Sequence, residues 1–66
     1  MKELYTWWRH KKTHQVYIIV GQCRLEKTGQ AAFLYVRDAD AGGTPWAREK
    51  EEFLDGRFEQ LLGRTS

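Results

Sequence analysis

The sequence predicts a mainly β domain, a small SH3-like barrel of four to five antiparallel strands with one short helix. Three observations predict it. Residues 15–20 (Gln-Val-Tyr-Ile-Ile-Val) and 31–36 (Ala-Ala-Phe-Leu-Tyr-Val) are dense in β-branched and aromatic side chains, which suit a pleated, half-buried surface. Between them, residues 26–29 (Glu-Lys-Thr-Gly) are polar and supply a turn glycine, so the two arms read as one long hairpin. Finally, both arms are apolar on both faces, which in a chain of 66 residues requires a sheet that curls onto itself.

Each element follows from its local pattern. Residues 5–9 (Tyr-Thr-Trp-Trp-Arg) alternate as a first strand, which sends Trp7 and Trp8 to opposite faces; one should enter the core. Residues 10–14 (His-Lys-Lys-Thr-His) are polar, without helical period and without glycine, and read as a loop of three or four residues. In the rising arm Val16, Ile18 and Val20 share one face, and Tyr17 and Ile19 the other. After Val20, Gly21 interrupts and residues 22–26 alternate strictly, the mark of a bulge or a sharp bend. Phe33 and Tyr35 share one face of the returning arm, Leu34 and Val36 the other. Residues 38–45 have no period and two adjacent glycines, so they form a connecting loop. Trp46, Lys50, Phe53 and Leu54 fall at helical spacing, and Asp55-Gly56 supplies a stop, which predicts one or two helical turns opening at Trp46. Residues 56–61 alternate again as a closing strand, with 1–4 and 63–66 frayed. The core drawn from this reading is Trp8, Val16, Ile18, Val20, Phe33, Tyr35, Trp46, Phe53 and Phe58. A shift of one residue in parity would exchange Val16 and Ile18 for Tyr17 and Ile19.

Length and composition bound the rest. The chain allows one domain, residues 1–66, of marginal stability. A single cysteine, Cys23, excludes an internal disulfide and fits a reducing cytoplasm. No apolar run reaches membrane-span length and the N-terminus lacks a signal-peptide layout, so a cytoplasmic protein is expected. The net charge of +2 does not by itself imply nucleic acid, although the basic side chains concentrate in residues 1–30.

Several short motifs occur in an order that resembles a known family. They are Trp8-Arg9-His10-Lys11, Val16-Tyr17, Val20-Gly21, Glu26-Lys27-Thr28-Gly29, Leu34-Tyr35, Trp46-Ala47-Arg48 and Phe53-Leu54. Together, over roughly residues 5–58, they resemble a short bacterial and bacteriophage domain family of unknown function. That family opens on aromatic-Arg-His-(aromatic)-Lys-Gly, turns on Glu-Thr-Gly and closes on Trp-Val-Arg-Pro before a Met-Phe helical turn. The chain departs from it at Lys11-Lys12-Thr13, in place of Lys-Gly, and at Trp46-Ala47-Arg48-Glu49, which lacks the proline. The resemblance implies a compact β-rich domain with a short helical turn and no activity.

The candidate chemistry is sparse. His10 and His14 stand four apart, but their segment is not helical and no further ligand completes a metal set, so they read as turn histidines. Cys23 lies on a strand between Gln22 and Arg24 and reads as a small buried apolar side chain rather than a nucleophile. Glu49, Glu51, Glu52 and Asp55, beside Arg48 and Lys50, read as the solvated face of a short helix, and a chain this small has little room for a catalytic cleft. The glycine-rich residues 40–44 lack the lysine and setting of a phosphate loop. No catalytic residue, metal or cofactor is expected. The constellation of Arg9, His10, Lys11, Lys12 and His14 beside Trp7, Trp8 and Tyr17 is the most suggestive. Its partner-binding candidates are Trp7, Arg9, His10, Lys11, Lys12 and Tyr17. Basic groups beside rings suit an acidic protein surface or small ligand, and equally a single nucleic-acid strand. They also suit a plain arrangement of core rings and solubilising cations. The expected role is therefore a non-catalytic module, phage- or bacterium-encoded, that binds a host protein or small ligand through this basic and aromatic face, with single-stranded nucleic acid on the same face as the alternative. Either a monomer or a homodimer is compatible with the pattern.

Overall fold

A computed structural model describes residues 2–61. Five strands form one antiparallel sheet: β1 (Trp7–His10), β2 (Val16–Arg24), β3 (Ala31–Arg37), β4 (Trp46–Glu49) and β5 (Phe58–Leu61). A 3-10 turn, Asp38–Asp40, follows β3, and one short helix, α1 (Lys50–Phe53), joins β4 to β5. The spatial order is β4-β3-β2-β1-β5, so β5 returns past the hairpins to pair with β1. The sheet curls into a half-barrel, with β4 and β5 at its two edges. This is the fold class that the doubly apolar arms predict.

The β2–β3 hairpin turns where the polar segment places it. The Leu25 N–H donates to the Gln30 carbonyl, the Gly29 N–H donates to the Leu25 carbonyl, and Gly29 takes φ +74°. The interruption at Gly21 is a β-bulge. Ile19 pairs with Tyr35 and Gly21 with Leu34, leaving Val20 as the extra residue. The bulge bends β2 and lets a nine-residue strand serve both flanks of a curled sheet.

Register decides which arm face is interior, and it corrects the predicted core. Trp8 pairs with Tyr17, and Ile19 with Tyr35, so these side chains share the concave face. Trp8, Ile19, Phe33, Tyr35, Phe53 and Phe58 form the buried cluster, with Tyr17 packed against it. Val16, Ile18 and Val20 are half-buried instead. The reason is volume: pairing Tyr17 and Ile19 inward brings their side chains beside Trp8 and Tyr35, whose rings bury more area than aliphatic side chains. Trp8 is thus the interior tryptophan, its indole Nε1–H donating to Thr6 Oγ1 at 2.8 Å. Trp7 lies on the convex face with Ile18, its Nε1–H donating to Asp38 Oδ1 at 2.8 Å.

The second correction concerns Trp46. It opens a strand rather than a helix, pairing with Tyr35 while Ala47, Arg48 and Glu49 pair with Leu34, Phe33 and Ala32. The helix is only Lys50–Phe53. Tertiary pairing overrides the helix propensity of Ala47 to Glu49, as expected for a segment too short to be helical alone. The period-3.6 reading still places Phe53 correctly. It is fully buried and caps the concave face, stacked on Phe58 at 4.2 Å and edge-on to Trp8, Phe33 and Tyr35. Trp46 itself remains 47% exposed and is no core residue.

Residues 2–4, expected to fray, form a turn with Tyr5, whose N–H donates to the Ile19 carbonyl. Met1 and the fraying expected of 63–66 lie outside the described residues. The chain leaves α1 through Gly56, at φ +109°. A Cβ there meets no neighbouring atom but must adopt a backbone conformation that L-residues avoid. Gly56→Ala is therefore expected to cost about 1–2 kcal/mol in urea denaturation, entirely through backbone strain.

Candidate binding face at one end of the half-barrel

The β1–β2 turn, the β3–β4 connection and the start of β5 meet at one end of the sheet. Strand pairing sets which side chains reach the concave face there: His10 opposite Phe58, Tyr17 opposite Arg37, and Tyr35 opposite Trp46. The rings touch in sequence. His10 meets Phe58 edge-on at 5.0 Å, Phe58 meets Tyr17 at 5.8 Å, and Tyr17 meets Trp46 at 6.2 Å. Edge-to-face pairs at such distances each add about 0.5–1.5 kcal/mol beyond the area they bury. The row is therefore a fixed platform rather than a set of independent side chains.

Cations sit on this row. The Arg37 guanidinium lies over the Trp46 ring at 5.7 Å, and that of Arg48 over Phe58 at 5.7 Å. Arg48 Nε–H also reaches Tyr35 Oη at 3.4 Å. That hydrogen bond raises the guanidinium pKa, against the opposing effect of burial and with smaller help from the Tyr35, Glu52 and Asp55 charges. Arg48 thus clamps the floor of the site. Arg37, on an exposed strand end, covers part of the Trp46 ring.

The predicted constellation is split between faces. His10 and Tyr17 belong to the row, and exposed Lys11 and Lys12 follow His10 in the turn beside it. The His10 Nδ1 accepts from the backbone N–H groups of Lys12 and Thr13 at 3.2 and 3.3 Å, which folds that turn back onto the ring. Trp7 and Arg9 point to the convex face, where Arg9 forms an ion pair with Glu59. Both partners are about two-fifths exposed, so the pair is screened. Arg9→Ala is expected to change stability by less than about 1 kcal/mol, measured by urea denaturation.

Sequence reasoning missed Trp46, Arg37 and Arg48 as site residues. A signal for them exists. Tyr35-x-Arg37 and Trp46-x-Arg48 are aromatic-x-arginine pairs, and period-2 alternation puts each pair on one face once both segments are read as strands. Elsewhere, Lys2, Glu3, Trp8, Leu54 and Gln60 bound a separate concavity of about 340 Å³. Among the described residues, no three His, Cys, Asp or Glu side chains come together to hold a metal ion. Among them, too, no helix is long and apolar enough to cross a membrane.

Comparison with family models, with curated proteins and with solved structures yields no match for this chain.

Proposed function

We propose that this chain is a non-catalytic binding module that engages a protein partner in the cytoplasm through the Trp46 end of the half-barrel. The observation that carries this reading is Trp46 itself. It is a large ring left 47% exposed at a sheet edge, braced by Tyr17 and Tyr35 and overlaid by Arg37. Exposed tryptophan costs hydration free energy, and tryptophan, tyrosine and arginine together are the composition of interface hot spots. The motif resemblance makes a bacterial protein the partner to look for. His10, Lys11, Lys12 and Tyr17 take part in this face, and Trp7 and Arg9 serve the convex side.

Affinity capture from a nuclease-treated bacterial lysate tests the reading. A discrete protein should be retained by the native chain and by Trp7→Ala, and lost with Trp46→Ala. Recovery only of nucleic acid, bound at low salt and released at moderate salt as counterion release requires, would replace this reading with single-strand binding.

A further inference from the structure

The charges around Trp46 narrow the chemistry of the partner. Arg9 pairs with Glu59 and Arg57 with Asp55. Lys11, Lys12 and Arg37 are in neither, and all three are exposed. Lys11 and Lys12 follow directly from His10 at one end of the ring row, and Arg37 covers Trp46 at the other. Exposed cations thus stand at the two ends of the ring row that carries Trp46. Glu49 and Glu59 pair across the sheet with Ala32 and Arg9, which places them on the convex face, whereas the Glu52 and Asp55 charges act on Arg48 at the floor of the row.

From this arrangement we infer that the occupant of the face is an acidic linear segment of the protein partner, an inference that rests on the reading proposed above. Its carboxylates meet Lys11 and Lys12 at one end and Arg37 at the other, and an apolar or aromatic side chain between them rests on Trp46 and Tyr17. Charge complementarity of this kind sets partner choice and association rate more than total affinity. A nucleic-acid strand offers similar charge but fits less well. Stacking successive bases needs several open ring faces. Here Phe58 and Tyr35 are buried, and part of the Trp46 ring is taken by Arg37. A net charge of +2 is also small for a surface whose affinity comes from phosphates.

The test is selection of random linear peptides displayed on phage, run in parallel on the native chain and on a Lys11→Glu, Lys12→Glu, Arg37→Glu variant. All three positions are exposed, so the variant should keep the native circular dichroism spectrum. Peptides selected on the native chain should carry Asp or Glu on both sides of an apolar or aromatic residue. Their affinity should fall about tenfold or more on the charge-reversed variant and fall with rising salt. Selected peptides without acidic enrichment, or binding indifferent to the charge reversal, would overturn the inference. Tighter binding of a short oligothymidylate than of any selected peptide would do the same in favour of nucleic acid. If the lysate capture succeeds through Trp46 while the peptides show no acidic preference, the binding reading stands and only the acidic segment is lost. Failure of both removes the reading itself.

Discussion

Phe53→Ala is expected to leave the chain without a cooperative unfolding transition at room temperature. Phe53 is fully buried and is the one helical side chain in the ring cluster, in contact with Trp8, Phe33, Tyr35 and Phe58. Removing a buried phenylalanine costs about 3–5 kcal/mol, part transfer and part cavity. Small domains hold stabilities near the lower end of roughly 5–15 kcal/mol, so this one truncation removes most of the margin. The cost is specific to the half-barrel. With β4 and β5 at open edges, Phe53 is what covers the concave face between them. Phe53→Leu, which preserves most of the volume, should retain a cooperative transition at a loss of about 1–2 kcal/mol. Near-ultraviolet circular dichroism and urea denaturation of the two variants provide the comparison. A fully cooperative Phe53→Ala protein would mean that the concave face is not the core.

Trp46→Ala should behave in the opposite sense. Half of this ring is already in water, so its removal is expected to cost about 1 kcal/mol or less of folding stability. Partner affinity should instead drop by about 2 kcal/mol or more, some thirtyfold, as for an aromatic hot spot. Denaturation and binding titrations of the same variant separate the two quantities. An equal loss in both would make Trp46 a structural ring rather than a contact.

Much of the architecture is legible in the residues because it depends on local chemistry. The turn at Gly29, the bulge beside Gly21 and the helical placement of Phe53 all follow from patterns a few residues long. Parity in β2 is a different matter. Val16, Ile18 and Val20 are as apolar as Tyr17 and Ile19, so nothing local chooses the inward face. The choice is made by the pairing of Trp8 with Tyr17 between β1 and β2, which the pattern inside β2 does not contain. The same limit hides the site. Residues 46–49 have good helix propensity, and only pairing with β3 turns Trp46-Ala47-Arg48 into a strand that presents Trp46 and Arg48 on one face. Arg37 then acquires its meaning from a ring nine residues away in sequence and one strand away in space. His10, Lys11, Lys12 and Tyr17 were legible because they flank one turn. Trp7 and Arg9 join them in sequence, yet strand alternation sends these two to the other side of the sheet.

The central claim is that the Trp46 end, not the Trp7 face, meets the partner. The chain has three tryptophans, and they occupy an exposed sheet edge, the convex face and the core. Fluorine NMR of protein made with fluorotryptophan gives each ring its own signal, assigned by single replacement with phenylalanine. On addition of a captured partner or selected peptide, the Trp46 signal should shift or broaden in a saturable way while Trp7 and Trp8 stay in place. Saturable movement of the Trp7 signal with Trp46 unchanged would contradict the account and move the binding surface to the convex face.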